Sequence, residues 1–255
     1  MAAISFHILA VLQSAAAVKT FYSEDLAFVH HSGFQEVALS GAAAALRLLS
    51  APSQILDLGC AGGLWAKQAL EAGHRVVGYD ISEPMIEIAR EHAPQAEFHA
   101  RSFVGAEWPR TNLITAFGEI FNYVAAGPKG HDGLDEIFHQ AAASLDVGGH
   151  LYFDMIVRDV KAPMQYRSWK SADTWSILVE VKELPAEHAL ERNIILFRDP
   201  GSGYRRSEET HRIGIPEAGD VIKKLNAAGF ECETSKSYGA VPLAERRLAF
   251  LAYRV

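Results

Sequence analysis

The stretch from Gln54 to Gly63 constrains this chain more than any other. Five residues of buried-strand character, Gln54-Ile55-Leu56-Asp57-Leu58, run straight into Gly59-Cys60-Ala61-Gly62-Gly63. Small residues at the end of a strand let backbone N–H groups approach a ligand closely, at the point where a helical pattern over residues 64–72 begins. Gly73 closes that helix where a left-handed cap is favoured. A second apolar run, residues 76–79, ends on Asp80, about twenty residues past the turn, where a carboxylate can accept hydrogen bonds from both hydroxyls of a ribose. Strand, small-residue turn, helix, strand and acid form a nucleoside-binding constellation, with a merely tight strand-to-helix connection as the bland alternative.

The same alternation continues to residue 155. Ser82 caps a helix with Pro84 in its first turn and Pro94 just beyond its end. Strands are expected at 96–100 and 113–117, a helix at 132–145 from the spacing of Leu134, Ile137, Phe138, Ala141 and Leu145, and a fifth strand at 150–155 after Gly148-Gly149. Such βαβ units imply a parallel sheet. The pattern then changes to three extended runs, 175–181, 189–197 and 205–213, with no helix between them. The last two are joined by Asp199-Pro200-Gly201-Ser202-Gly203, a hairpin turn. A helix at 216–228 and strands at 230–235 and 247–253 complete the chain. No internal repeat or linker separates the antiparallel runs, so they form an insertion on one domain.

Composition narrows the class further. With 255 residues, 49% hydrophobic and 22% charged, the chain can bury one large core with an appended subdomain. A formal net charge of −7 gives no general attraction to phosphate backbones or anionic lipid, arguing against nucleic-acid and membrane partners. Cys60 and Cys232 lie too far apart for a zinc ribbon or CxxC pair, and no His/Cys/Asp cluster has metal-ligand spacing, so no metal is expected. A reducing, cytoplasmic setting fits. Residues 1–18 are apolar, but no basic residue precedes them and they include Gln13 and Ser14, which argues against a signal peptide. No other stretch approaches the roughly 18 to 20 apolar residues of a membrane span.

A dinucleotide fingerprint would require glycines at the first, third and sixth places, yet from Gly59 the third is Ala61 and the sixth Leu64, which disfavours a nicotinamide-dependent oxidoreductase. The segment instead resembles motif I of the class I S-adenosylmethionine-dependent methyltransferases. Asp57, Gly59 and Gly63 match it and Ala61 replaces its middle glycine. Gly78-Tyr79-Asp80-Ile81-Ser82, with Met85 and Ala89-Arg90, resembles the family's next motif. The ending, including Ala228-Gly229-Phe230, is similar too. The resemblance implies an α/β fold with a seven-stranded, mostly parallel sheet and an antiparallel terminal hairpin, built from residues 51–156 and 214–255. It adds a helical cover in residues 1–50 and an antiparallel β insertion in 157–213 that shapes an acceptor site or a dimer contact.

The resemblance also implies S-adenosyl-L-methionine as cofactor. Gly59, Cys60, Ala61 and Gly63 would underlie its methionine part, with Asp57 ordering the loop near the ammonium, Gly118 nearby and Asp80 on the ribose. Ile81, Met85, Ser102 and Phe103 would surround adenine, although the acid that many relatives carry near Arg101-Ser102 is absent. Tyr22, His30, His31 and Phe34 would face the pocket from the cover, with at most one of the two adjacent histidines reaching it, or would belong to an exposed amphipathic helix.

A sulfonium methyl is already electrophilic, so catalysis is mainly alignment, plus a base where the acceptor must lose a proton. The reacting groups should lie beyond the carboxyl ends of the parallel strands. Glu119, Asn122 and Tyr123 are the first candidates: Glu119 as a base or as an orienter of cofactor, Asn122 and Tyr123 as acceptor ligands or simply a helix turn. Asp154 is a second carboxylate. Trp169, Trp175, Tyr204, Arg205 and Arg206 offer material for a pocket wall or homodimer contact. The expected activity is methyl transfer to a small-molecule acceptor, with a cofactor-binding relative lacking transfer as the alternative.

Overall fold

The computed structural model describes residues 21–159 and 162–255. The segment weighed as a signal peptide, and the first twenty residues of the expected cover, lie outside the described residues. Among the described residues two helices come first, α1 (Glu24–Gly33) and α2 (Glu36–Leu46). The alternating unit follows as β1 (Gln54–Leu58), α3 (Leu64–Glu71), β2 (Arg75–Asp80), α4 (Glu83–His92), β3 (Glu97–Ala100), β4 (Thr111–Ala116), α5 (Ile120–Val124), α6 (Leu134–Ser144) and β5 (Leu145–Ile156). Four strands form a separate sheet: β6 (Gln165–Ala172), β7 (Trp175–Leu184), β8 (Ala189–Arg198) and β9 (Arg205–Gly214). The chain ends with α7 (Ala218–Ala227), β10 (Phe230–Ser235), a short hairpin of β11 (Ser237–Tyr238) and β12 (Val241–Pro242), and β13 (Arg247–Arg254).

The large sheet has seven strands in the order β10-β13-β5-β4-β1-β2-β3. Pairings of β1 with β2 and β4, of β2 with β3 and of β4 with β5 are parallel, whereas β13 runs antiparallel to both β5 and β10. The α/β class, the seven strands and the terminal antiparallel pair are as the sequence implied. Strand alternation divides the core between two faces. Leu56, Leu58, Ile114 and Phe153 face α6 and α7, where Ile137, Phe138, Ala141, Val221 and Leu225 are buried. Ile55, Val76 and Leu113 face the opposite layer, with Trp65, Ala66 and Ala69 of α3, Ile86 and Ala89 of α4 and Ala42 and Ala45 of α2.

The strand order reverses at β1/β4, which opens a crevice beyond the carboxyl ends of those strands. The second sheet closes over it. One end packs on α1 through Leu26, Val29, Trp175, Ile177, Ile194 and Leu196, and the other meets the end of β5 through Ile156, Val181, Leu190 and Ile213.

Three expectations are corrected. The antiparallel part has four strands, because β6 is exposed at all eight positions and so carries no hydrophobic alternation to detect. Gly148-Gly149 does not precede the fifth strand but lies inside it, where the pairing with β4 shifts register between Thr111 and Leu113. The last helix begins at Ala218 rather than directly after the Ile215-Pro216 bond.

Candidate active site

The turn after β1 is held by β2. The N–H groups of Gly59 and Cys60 both donate to the Tyr79 carbonyl, at 2.7 and 3.0 Å. The N–H of Ala61 donates to Asp80 at 3.0 Å, and the other oxygen of that carboxylate accepts from the N–H of Ser82 at 2.9 Å. Asp80 therefore fixes the turn that precedes it by nineteen residues. Gly59 has φ 71°, and a Cβ there would lie 2.3 Å from Ile120 Cδ1, so backbone conformation and space both call for glycine. Ala61 adopts φ 45°, a conformation glycine holds more easily, with only a methyl to accommodate.

Asp57 lies beneath this turn, 3% exposed. It accepts from Thr115 Oγ1 at 2.8 Å, and that hydroxyl in turn accepts from Trp65 Nε1 at 2.9 Å. Burial pushes the Asp57 carboxyl up to about 7, against the opposing pull of the Thr115 hydrogen bond. A desolvated acid in this state gains most from a cation brought into the space above it.

The segment after β4 forms the opposite wall. Gly118 (φ 91°) and Glu119 (φ 61°) are both left-handed, and their N–H groups donate to the two oxygens of Asp154 at 2.8 and 2.9 Å. Tyr238 also donates to Asp154, at 2.8 Å. Asp154 is thus a buried clamp on the Gly118-Glu119 turn. The Glu119 side chain is gripped by two guanidinium groups, Arg192 on one oxygen and Arg247 on the other. Burial would raise its pKa, but the two cations outweigh burial and hold it down to about 2. A carboxylate so firmly ionised is a poor proton acceptor at neutral pH.

These walls enclose a cavity of about 380 Å³. Its floor is Asp57, Gly59, Ala61, Gly62 and Asp80, its far side Gly118, Glu119, Ile120 and Tyr123, and its roof Tyr22, His30, His31 and Phe34 with Ile177, Arg192 and Ile194. The volume suits a small molecule. The roof is tied down at several points. Glu209 accepts from the N–H groups of Tyr22 and Ser23, at 2.9 and 2.8 Å, and Ser82 Oγ donates to the Tyr22 carbonyl at 2.7 Å. A larger but open depression along α1 and α2, about 560 Å³, is lined by Ser32, Gln35, Glu36 and Leu39 and gathers no comparable set of groups.

Of the residues singled out in the sequence, Tyr22, Asp57, Gly59, Cys60, Ala61, Asp80, Met85, Gly118, Glu119 and Tyr123 line the cavity. Five do not. Gly63 lies behind the turn at φ 71°, where a Cβ would lie 3.1 Å from Ala89, so it lets α3 approach α4. Ile81 is 51% exposed outside the cavity. Ser102 accepts from the N–H of Val104, and Phe103 packs against the core beside Phe121 and Trp108. Asn122 is wholly buried: its amide donates to the carbonyls of Ile156 and Gly214 and accepts from the N–H of Ile156, which joins α5 to the ends of β5 and β9.

Both adjacent histidines reach the cavity, not one, because it wraps around two flanks of α1. His30 stacks on Phe34 and, through burial, is lowered to about 4, whereas His31 meets His92 and leaves its Nδ1 without a partner. The conspicuous residues of the insertion lie elsewhere. Trp169 and Tyr204 are exposed, Arg205 bridges to Glu24 and Asp25, Arg206 pairs with Glu208, and Trp175 packs on Phe34. The residues the sequence did not mark are Arg192, Glu209, His211 and Arg247. They are scattered over β8, β9 and β13 without a motif, and only β-pairing brings them beside α5. Among the described residues, no grouping of three or more His, Cys, Asp and Glu side chains could hold a metal ion.

Comparisons with known proteins agree with this geometry. A family model described as a methyltransferase domain matches residues 30–192, more than half the chain. The ubiquinone biosynthesis O-methyltransferase of Coxiella burnetii (strain Dugway 5J108-111) is 29% identical over 114 residues, 42% of this chain and 45% of that protein. Its counterpart from Alkalilimnicola ehrlichii is 28% identical over 116 residues, 43% of this chain and 44% of that protein. The matched region thus spans less than half the length of these curated relatives. Among solved structures, an S-adenosylmethionine-dependent methyltransferase from Clostridium acetobutylicum ATCC 824 superposes with TM-score 0.73 at 16% identity, covering 89% of this chain and 97% of that one. The CcbJ methyltransferase from Streptomyces caelestis gives TM-score 0.73 at 19% identity, covering 93% and 99%. At these identities the structural likeness establishes the fold.

Proposed function

This chain belongs to the class I S-adenosylmethionine-dependent methyltransferase family, and from that premise we propose that it transfers a methyl group to a small-molecule acceptor held in the cavity. The observation that carries the reading is the single cavity joining the Gly59 to Gly62 turn and Asp80 at one end to Tyr22, Tyr123 and Arg192 at the other. One end has the chemistry to hold a nucleoside with a cationic amino-acid tail. The other can hold the group that receives the methyl.

The residues present fit the family's cofactor. The desolvated Asp57 carboxylate suits an ammonium, the Gly59-Cys60-Ala61 backbone provides close approach, and Asp80 lines the cavity where a ribose would lie. When bound, that cofactor supplies an electrophilic methyl on a sulfonium. The chain's own work is to align the acceptor in line with it and to exclude water. Gly118 and Glu119 shape the methyl end, with Glu119 setting Arg192 and Arg247 in place rather than moving a proton. Asn122 acts as a structural tie, and Met85 borders the nucleoside side. Gly63 acts indirectly by seating α3. In this reading Ile81, Ser102 and Phe103, which are not part of the cavity lining, would meet an adenine that extends beyond its nucleoside end.

Residues 51–156 and 214–255 then form the cofactor domain, with the described part of 1–50 as its cover and 157–213 as the acceptor-shaping insertion. We place its action in the cytoplasm, consistent with the two free cysteines. Among the described residues, no helix is long and apolar enough to cross a membrane.

Calorimetric titration tests the cofactor directly: S-adenosylhomocysteine should bind and NAD should not. Binding of NAD alone would overturn the proposal. Transfer of a radiolabelled methyl from S-adenosylmethionine to pooled metabolites tests the reaction, and total inactivity with intact cofactor binding would reduce the function to binding.

A further inference from the structure

Three polar side chains stand in a row that leads back from the cavity wall. Tyr123 Oη lies 3.0 Å from His211 Nδ1, and His211 Nε2 lies 2.9 Å from Glu209 Oε2. His211 is 1% exposed and does not line the cavity, whereas Tyr123 does. Tyr22 also lines the cavity, beside Tyr123. We propose that Glu209, His211 and Tyr123 form a proton relay that accepts the proton of a hydroxyl acceptor, making this an O-methyl-transferring site.

The direction of each bond follows from its partners. Burial works against the Glu209 charge, but hydrogen bonds from His211, Ser23 and Tyr22 hold its carboxyl below the ordinary range, so it is ionised and accepts only. His211 Nε2 must therefore carry the proton, and in neutral imidazole this leaves Nδ1 as a lone pair aimed at Tyr123. The phenol then donates to His211 and keeps its oxygen lone pairs for a donor in the cavity. Burial holds the Tyr123 phenol well above its usual value, so it does not serve as a free phenolate. It passes a proton through.

In the transfer step the acceptor oxygen forms a bond to the methyl carbon and the carbon–sulfur bond breaks, its electron pair returning to sulfur. The acceptor proton goes to Tyr123 Oη while the phenolic proton goes to His211 Nδ1. One positive charge disappears at the sulfonium and one appears on His211, beside Glu209. A hydroxyl is a feeble nucleophile until its proton leaves, whereas a neutral amine already has its lone pair, so a base of this kind answers to the needs of a hydroxyl. The groups around His211 are Glu209 on its own strand, Arg192 opposite it on β8, Tyr123 on α5, Phe21 and Tyr22 at the entry to α1, and His30 on α1.

The inference rests on the proposed methyl transfer, and the tests separate the two. Failure of S-adenosylhomocysteine to bind the native protein overturns methyl transfer and the relay with it. With binding intact, nitrogen-15 NMR of labelled histidine reads the relay without any acceptor. His211 should be protonated at Nε2 and bare at Nδ1, and Tyr123→Phe should shift the Nδ1 resonance. A protonated Nδ1 at neutral pH, or a resonance indifferent to Tyr123→Phe, overturns the relay. With phenols, catechols and amines as methyl acceptors, label should enter the hydroxyl compounds. His211→Gln should lower kcat at least about 100-fold and move KM less than about threefold. Label entering amines alone, or kcat retained in His211→Gln, overturns the proposal.

Discussion

At the residue scale, two buried carboxylates in one cavity have opposite fates because their neighbours differ. Asp57 has one hydroxyl donor and no cation, so burial raises it to about 7. Between its ordinary value and 7 the folded protein holds a proton that the unfolded chain releases, so stability falls as pH rises through that window. Asp57→Asn is expected to raise Tm at pH 8 more than at pH 5. The same change should weaken S-adenosylhomocysteine binding and remove its decline below pH 7, as calorimetry across pH would show. Glu119 has two guanidinium partners, and its charge persists to acid pH. Glu119→Gln leaves Arg192 buried without its counter-ion and Arg247 with Asp154 alone, 3.4 Å away, at a cost of about 3–5 kcal/mol, readable in urea unfolding. An unchanged unfolding midpoint would show that those charges find other partners.

At the scale of elements, the roof of the cavity is attached by polar contacts as well as by the apolar packing of α1 on the second sheet. Arg198 on β8 reaches Asp25 of α1 at 3.0 Å and lies over the Phe28 ring at 3.9 Å, while Glu209 holds the residues just before α1. Arg198→Ala removes the cation from a partly desolvated ring, worth about 0.5–2 kcal/mol. Hydrogen exchange should accelerate across residues 24–33 and stay unchanged in β1 and β4. Equal acceleration everywhere would mean that α1 opens only with the whole fold. The contrast between α1 and β1 was partly visible in the sequence. The buried strand announces itself by five residues running into glycine, but α1 is held by Arg198 and Glu209, which lie far along the chain and carry no local signal.

At the scale of the molecule, the cavity lies between three bodies of structure: the large sheet, the four-stranded sheet and the α1–α2 pair. A ligand that touches all three stabilises the folded state in proportion to its occupancy, by about 2.7 kcal/mol at a hundred times its dissociation constant. Saturating S-adenosylhomocysteine should therefore raise Tm by several degrees, and NAD at equal concentration should not. Equal shifts with both compounds would point to general stabilisation rather than to this cavity.

The sequence by itself determined what depends on neighbours in the chain. Periodicity marked the parallel strands and their helices, small residues marked the turn after β1, and the spacing to Asp80 marked the nucleoside end. Tertiary structure decided what depends on pairing between distant strands. It placed Arg192 and Arg247 on Glu119, withdrew Asn122 into the core, brought both histidines of α1 to the cavity and set His211 behind Tyr123. A turn can be read locally because its conformation is fixed by the residues that make it. The meeting of β8, β9 and β13 around one short helix is fixed by sheet register and layer packing, and no stretch of sequence records it.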